Sequence, residues 1–376
     1  MGWLGLDDTD NLAGGCTTEV FHRLLETLDV EVVEARLVRL WPFAPGRTRG
    51  NAALAANLSN YDSQDLVNQL DEFWRNQLLP LKGNIAESTH DNRQQFPADP
   101  GMVWFADKPT DEYYRKAVRE EVNLEITPDK QWGGKGRIGA IAACSWSGEN
   151  ATFEAIAWRK SIRKVGGCED IEILFPGTFL NRDPRRKDSL IAPRGPCPVM
   201  FGVRAHSFDE AEQAANYIIE HPDTAEVTAM RVFRTNQCSD DHLDGIHRAK
   251  VISTEIRKRG HVIITTDGGN WLAFKESAEM NLLAQWLKPG DIIDGMGLIH
   301  NGDRHLEKLK VVSSIQNSRP LCECGKRMKS AGQSQGLRCS CGARCEDIWV
   351  EEDRIPPFKD WVQPPPDSRR HLSKPI

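Results

Sequence analysis

No apolar stretch among the 376 residues approaches the roughly 20 needed to span a bilayer. A basic, apolar leader is missing too, because Met1-Gly2-Trp3-Leu4 runs straight into acidic residues. Both absences argue against a membrane or secreted protein and make the cytoplasm the expected compartment. Positive charge is also lacking overall. The net charge is −6, so any contact with nucleic acid must come from local basic patches rather than the field of the whole chain. Cysteine is distributed unevenly: five of the ten are scattered singly, while Cys322, Cys324, Cys339, Cys341 and Cys345 crowd one short segment. That asymmetry favours a metal site over a disulfide framework. The length exceeds one typical core and implies two to four domains, at roughly 100 to 200 residues each.

What is present begins at the front. Gly5-Leu6-Asp7-Asp8-Thr9-Asp10 follows a short apolar run and precedes Gly14-Gly15-Cys16-Thr17-Thr18. Three carboxylates within four positions repel one another unless a cation offsets their charge, so the turn reads as a metal-nucleotide site with magnesium as the first candidate. The small and hydroxylated residues behind it can bring backbone N–H groups and an oxygen nucleophile to a phosphate. The alternative is an acidic turn that caps a helix starting near Thr17.

Along the chain, Trp3 to Leu6 reads as a strand, Thr18 to Leu28 as an amphipathic helix and Val30 to Leu40 as a second strand. The basic loop Pro45-Gly46-Arg47-Thr48-Arg49-Gly50-Asn51 offers two arginines to an anion, or is simply solvated. A helix over Ser63 to Leu78 leads to a turn at Asp99-Pro100-Gly101 and a strand. Gly133-Gly134-Lys135-Gly136-Arg137-Ile138-Gly139-Ala140 lacks the GxxxxGK[ST] pattern, and reads better as a joint between domains than as a phosphate cradle. Strands at Thr152 to Trp158, Val199 to Arg204 and Thr228 to Phe233, with a helix over Phe208 to Ile219, fit a ferredoxin-like layer. From Ala249 to Val312, short strands with a helix at Ser277 to Trp286 follow the order of an OB-fold. There Trp271 and Lys275 offer stacking and charge to RNA, although Trp271 alternatively closes the barrel core.

Cys322-Glu323-Cys324-Gly325 and Cys339-Ser340-Cys341-Gly342 look like the two knuckles of a zinc ribbon with four thiolate ligands. Each pair is C-x-C, one residue short of the usual C-x-x-C, so ligation calls for a tighter chelate or help from Cys345. Five basic residues, among them Lys326, Arg327, Lys329 and Arg338, face one acid between Cys322 and Cys345, which suits a phosphate backbone. The proline-rich remainder from 351 to 376 reads as a flexible tail.

Taken together, GLDDTD with GGCTT, RTRGNAAL, DPGMVWF, GKGRIGAIAA, CPVMFGVR, FRTNQCSDDHL and the cysteine module resemble the archaeal tRNA(Ile) 2-agmatinylcytidine synthetase family, over about Gly5 to Cys345. The resemblance implies an α+β multidomain protein. Its parts would be a kinase-like α/β domain at 1–130, a ferredoxin-like domain at 131–244, an OB-fold at 245–316 and a zinc ribbon at 317–350. It further implies a ligase that uses ATP, Mg2+ and agmatine to convert the wobble cytidine of tRNA(Ile) to agmatidine, through phosphorylation of the C2 oxygen. On this resemblance Asp7, Asp8 and Asp10 handle Mg-ATP, and Thr17 is the hydroxyl that becomes phosphorylated, with Thr18 beside it. Thr9, Gly14, Gly15, Arg47, Arg49, Gly50 and Asn51 meet phosphates, and Arg234, Asn236, Gln237, Asp240, Asp241 and His242 belong to an agmatine and cytidine pocket. Two features depart from the family pattern: the C-x-C pairs, and Ala98-Asp99-Pro100-Gly101 where a TNPG turn is usual. A nucleic-acid-binding factor without catalysis, or a ligase using another amine, are the competing accounts.

Overall fold

The computed structural model describes residues 1–11, 14–47, 50–85, 96–185, 189–193 and 195–376. The chain divides into two units: Met1–Leu243 with Arg369–Pro375, and Asp244–Ser368 with Ile376. Among the described residues no helix is long and apolar enough to cross a membrane.

The first unit is built on strands β1 (Gly2–Asp7), β2 (Glu31–Arg39), β3 (Ala52–Ser59), β4 (Gly101–Phe105), β5 (Lys130–Gly133), β6 (Thr152–Arg159), β7 (Val199–Ala205) and β8 (Val227–Thr235). Its helices are α1 (Thr17–Thr27), α2 (Ser63–Phe73), α3 (Glu112–Ala117), α4 (Arg137–Ser145), α5 (Ile171–Leu174) and α6 (Phe208–Glu220). All eight strands join one sheet in the order β5-β4-β1-β3-β2-β8-β6-β7. Neighbours run antiparallel except at the β2–β8 seam, where Arg36 sits opposite Arg234 in a parallel pair.

The central strands are covered on both faces, so they read as continuous apolar runs. Leu4, Leu6, Leu54, Leu58 and Met102 pack with Phe21 and Leu24 of α1 and Leu66 and Leu70 of α2. Their alternating neighbours Trp3, Ala53, Ala55 and Val103 pack with Tyr113 and Tyr114 of α3 and Ala140 to Cys144 of α4. Period-two alternation thus feeds two cores. Helix α4 lies close to the sheet because both partners are small: a Cβ on Gly5 would fall 2.5 Å from the Ala140 carbonyl oxygen. Beyond the seam, α6 covers β6 and β7 through Ala211, Ala214 and Ile218.

In the second unit, β9 (His247–Ile256), β10 (Val262–Thr266), β11 (Gly269–Ala273), β12 (Ile292–His300) and β13 (Asp303–Ser313) form a closed barrel. Helix α7 (Glu279–Trp286) falls between β11 and β12 in the chain. Trp271 is 2 % exposed among Val251, Ile264, Met280 and Ile293. Of the two readings of Trp271, the structure bears out the core one and not the RNA-facing one: a ring facing inward from β11 fills the barrel. Lys275 is exposed.

The strands β14 (Ile315–Ser318) and β18 (Val350–Asp353) pair with each other, and between them in sequence β15 (Lys329–Ser330), β16 (Leu337–Arg338) and β17 (Arg344–Cys345) form a small sheet. The stretch expected as a tail is held at several points. The Arg354 guanidinium donates to both oxygens of buried Asp291 at 2.9 Å, Val362 bridges to Leu309, and Leu372 and Ser373 are buried.

Candidate active site and cysteine centre

The acidic turn leaves the end of β1, and its geometry follows from close packing by glycine. Asp8 adopts φ 59°, a left-handed conformation that aspartate tolerates better than most residues. Oδ1 of Asp7 accepts from the Asp8 N–H at 2.7 Å, and Oδ2 of Asp8 accepts from the Asp99 N–H at 3.1 Å. Asp99 in turn accepts from the Lys135 N–H at 2.7 Å and lies 3.5 Å from the Lys82 ammonium. Gly136 and Gly139 back the turn: a Cβ on Gly136 would fall 2.5 Å from the Asp7 carbonyl oxygen, and one on Gly139 1.9 Å from Asp7 Oδ2. The glycine-rich loop expected as a domain joint therefore serves as the wall of the acidic turn.

Burial, with repulsion from Asp8 and then Asp10, pushes the Asp7 carboxyl well above the ordinary carboxylate range. Burial likewise raises Asp8 to about 7, with Asp10 and Asp99 adding to the rise. Burial and mutual repulsion thus oppose ionisation of both groups, and a bound cation would offset that cost.

Helix α1 begins beside this turn. Asn11 and Gly14 close a tight loop through paired backbone bonds of 3.1 and 3.3 Å, and Gly15 takes φ 77° against Asp10. Thr9 Oγ donates to Thr17 Oγ at 3.2 Å, and Thr17 Oγ donates to Asp10 Oδ1 at 3.4 Å. Thr18 faces away from that chain. Its hydroxyl meets Cys16 Sγ at 2.9 Å and accepts from the Trp158 indole at 3.2 Å. The two adjacent hydroxyls are thus separated in role by the turn of the helix: Thr17 faces the carboxylates and Thr18 faces the core.

In the basic loop, Arg47 donates to the Ala44 carbonyl at 2.9 Å, while Asn51 takes φ 46° and donates to the Trp41 carbonyl at 2.7 Å. Arg49 lies outside the described residues.

Of the six residues expected to share a second pocket, Asn236 and Asp241 are joined through a common partner, Tyr114. Arg234 pairs with Glu34 at 2.7 Å and reaches the Gly148 carbonyl, away from the others. Asn236 clasps Arg39 through its backbone N–H and carbonyl and donates to the Tyr114 hydroxyl at 2.8 Å, while that hydroxyl donates to Asp241 at 2.7 Å. Gln237 donates to buried Glu154 at 2.5 Å and meets His371 Nδ1 at 3.1 Å. Asp240 accepts from the Lys374 N–H at 2.7 Å, and His242 is buried. Glu154, Arg39 and His371 were missed by sequence reading because each sits in an element whose apolar pattern dominates, or in the stretch read as a tail.

In the second unit, the four sulfurs of Cys322, Cys324, Cys339 and Cys341 lie within 4.8 Å of one another, with Cys322–Cys341 at 3.5 Å and Cys324–Cys339 at 3.4 Å. Tetrahedral zinc, with Zn–S about 2.3 Å, requires sulfurs about 3.8 Å apart, so the quartet fits that ion. The C-x-C spacing succeeds because both knuckles share one turn. Gly325 N–H donates to the Cys322 carbonyl and Cys322 N–H to the Lys326 carbonyl; Gly342 and Cys339 repeat the pattern onto Cys339 and Ala343. Gly325 and Gly342 take φ 80° and 98°. The Cys339 thiol is lowered to about 6, chiefly by the Cys341 N–H, which suits a thiolate ligand. Cys345 stands outside the quartet, with its sulfur 3.3 Å from Met328 Sδ, so its help is not needed. Among the described residues this is the only set of three or more His, Cys, Asp or Glu side chains placed to hold a metal ion, and the carboxylates of the acidic turn are not drawn together in that way. Lys326, Lys329 and Arg338 are exposed around it, whereas Arg327 is committed to Glu352 through two 2.8 Å bonds.

Comparison with known proteins covers the whole chain. Residues 3–131 match the TiaS TCKD domain, 134–242 the TiaS FLD domain and 319–354 the TiaS C-terminal zinc ribbon domain. The chain is 31% identical to the isoleucine-tRNA 2-agmatinylcytidine synthetase TiaS of Methanopyrus kandleri, over 100% of this chain and 96% of the relative. Among solved structures it is similar to a complex of TiaS with isoleucine tRNA and ATP, with TM-score 0.78 and 27% identity over 100% of this chain and 96% of that one. It is also similar to a complex of TiaS with isoleucine tRNA, AMPCPP and agmatine, with TM-score 0.76 and 25% identity over the same shares.

Proposed function

The chain belongs to the TiaS family, and we propose that it joins agmatine to C2 of the wobble cytidine of tRNA(Ile), in an ATP-dependent reaction that forms agmatidine for AUA decoding. The observation that carries this reading is the hydrogen-bonded chain Thr9–Thr17–Asp10 beside two carboxyls whose ionisation burial opposes, in a protein similar along its length to a complex of tRNA, nucleotide and agmatine.

The cytosine C2 oxygen leaves poorly, so an amine does not displace it directly. Phosphorylation forms a P–O bond to that oxygen as the bond to the nucleotide breaks. The amine nitrogen then bonds to C2, and phosphate departs with the oxygen and its electron pair while the amine gives up a proton. Asp7, Asp8 and Asp10 would hold magnesium, whose chemistry there is neutralisation of phosphate charge. Magnesium commonly takes one or two carboxylates together with substrate phosphates, which agrees with a turn that is acidic yet not a closed cage. Thr17 is the hydroxyl we assign to a separate autophosphorylation, in which its oxygen bonds to phosphorus as the bond to the nucleotide breaks and Asp10 takes its proton; Thr18 is held by Cys16 and Trp158. Thr9, Gly14, Gly15, Arg47, Gly50 and Asn51 are the residues we assign to the phosphates, together with Arg49, which lies outside the described residues.

The segment 234–242 forms one side of the agmatine and cytidine pocket in this proposal. Support comes from buried Glu154 beside Gln237, since a guanidinium-bearing amine calls for a carboxylate and an extruded base for hydrogen bonds to its edge. We assign the β1–β5 part of the sheet to a kinase-like layer, β6–β8 with α6 to a ferredoxin-like layer and the barrel to an OB-fold. Lys275, Lys326, Lys329 and Arg338 are the cations we assign to tRNA, in a cytoplasmic enzyme. The test is mass spectrometry of the anticodon nucleosides after incubation with tRNA(Ile), ATP and agmatine. The expected product is cytidine plus agmatine less one water, and unchanged cytidine under conditions where ATP binds would overturn the assignment.

A further inference from the structure

A largely buried cluster of arginines lies where β2, β6 and β7 meet in the first unit, and the reaction as described so far draws on its Glu154 and Gln237 but on neither of its arginines. Arg39 closes β2, and Glu154 on β6 is directly opposite Arg204 on β7. One carboxylate serves two guanidinium groups. Glu154 Oε2 is 3.6 Å from Arg39 and Oε1 is 3.7 Å from Arg204, close enough for ion pairing and too far for hydrogen bonds. Oε2 also accepts from Gln237 at 2.5 Å.

The Nε atoms of Arg39 and Arg204 are both buried without a hydrogen-bond partner among the described residues. Buried donors are ordinarily satisfied, so two unsatisfied guanidinium N–H groups in one cluster indicate a missing acceptor. A phosphate suits it best, because its several oxygens match the planar fork of arginine. The Gly50 backbone lies directly against the Arg39 guanidinium. A Cβ on Gly50 would fall 2.3 Å from Arg39 Nη1 and 3.3 Å from His371 Nε2.

His371 comes from the segment Arg369–Pro375, which is fastened by Cys238 N–H to the His371 carbonyl and Asp240 N–H to the Leu372 carbonyl, both 2.9 Å. The positive fields of Arg39 and Arg204 hold its imidazole well below the usual range. Arg39 also lies within electrostatic reach of Cys16, the residue before Thr17.

We infer that Arg39 and Arg204 bind a phosphate group of the nucleotide, with Gly50 and His371 beside them. This rests on the nucleotide reading of the acidic turn and adds to it a phosphate site made by different strands.

Equilibrium titration of the full chain with ATP, with inorganic pyrophosphate and with tRNA tests the inference. Arg39→Gln and Arg204→Gln are expected to weaken ATP and pyrophosphate at least tenfold while tRNA affinity stays within twofold. Arg39→Lys keeps the cation beside Glu154 and hence the fold, but loses the fork, and is expected to weaken both anions at least threefold. Wild-type ATP and pyrophosphate affinity in Arg39→Lys and the Gln variants overturns the inference. So does a loss confined to tRNA with a flatter salt dependence, which would assign the cluster to the nucleic-acid backbone. A wild-type chain that binds ATP but forms no agmatidine sinks the ligase reading and leaves this site standing.

Discussion

Gly139 stands where any side chain would displace the Asp7 carboxylate, because its Cβ would lie 1.9 Å from Asp7 Oδ2. The glycine is the second residue after the start of α4, so the helix delivers it to the acidic turn at fixed depth. Gly139→Ala is expected to push the carboxylate off its position and reduce agmatidine formation on the order of 10²-fold, the usual scale for a misplaced catalytic group. Helix propensity would by itself favour alanine. Loss of activity with an unchanged or modestly lowered melting temperature therefore identifies displacement, and full activity would show that Asp7 has no fixed role.

The raised Asp8 carboxyl makes a pH prediction with a defined sign. Its folded value of about 7 lies above its unfolded value, so the folded state binds the extra proton between the two and stability falls as pH rises toward 7. Asp8→Asn removes that penalty. Without divalent cation, the variant is expected to melt above the parent at pH 8, by about 1 to 2 kcal/mol of stability, and to match it more closely at pH 5. It is also expected to lose ATP-dependent activity. Equal melting behaviour at both pH values would mean the carboxyl is not held protonated.

Thr17 and Thr18 differ in what their hydroxyls touch, and the two alanine variants should separate accordingly. Thr17→Ala is expected to abolish phosphoryl transfer with little change in melting temperature, since only Thr9 and Asp10 lose a partner. Thr18→Ala leaves the buried Trp158 indole without its acceptor, at a cost of about 1 to 3 kcal/mol, and is expected to keep measurable turnover. Radiolabel from γ-labelled ATP on the protein, read beside thermal melts, distinguishes them; labelled Thr17→Ala would overturn the assignment.

The cysteine centre yields a metal prediction. Cys339→Ser is expected to drop bound zinc below one equivalent and weaken tRNA binding, while ATP binding by the other unit stays unchanged. Cys345→Ser is expected to retain one zinc per chain, because Cys345 is engaged with Met328. Atomic emission on purified protein counts the metal, and loss of zinc in Cys345→Ser would mean that the fifth cysteine is a ligand after all.

The acidic turn with its two threonines, and the cysteine pairs of the second unit, were legible in the chain because each declares itself within a few positions. Helix α4 was not legible. Its run Ile138-Gly139-Ala140-Ile141-Ala142 is buried nearly all round, so it has no polar face to set a helical period, and its glycines imitate a loop. Arg39, Glu154 and His371 come together only through the sheet order and the return of residues 369–375. No local pattern encodes that meeting.

Trp271 illustrates the remaining gap, and supplies a last test. An aromatic residue on a barrel strand stacks on bases or fills the core according to which way one register points, and a shift of one residue reverses it. Here Trp271 pairs with Ile264 and packs against Gly295, whose missing side chain admits the indole: a Cβ there would lie 2.4 Å from the ring. Trp271→Ala is expected to cost about 3 to 5 kcal/mol of stability, seen as early loss of the second unit in a denaturant melt. At a temperature where that unit stays folded, the variant should bind tRNA with unchanged salt slope, whereas Lys329→Ala with Arg338→Ala should lower the slope by about 2. A stable Trp271→Ala protein with weakened tRNA binding would place the indole at the RNA surface instead.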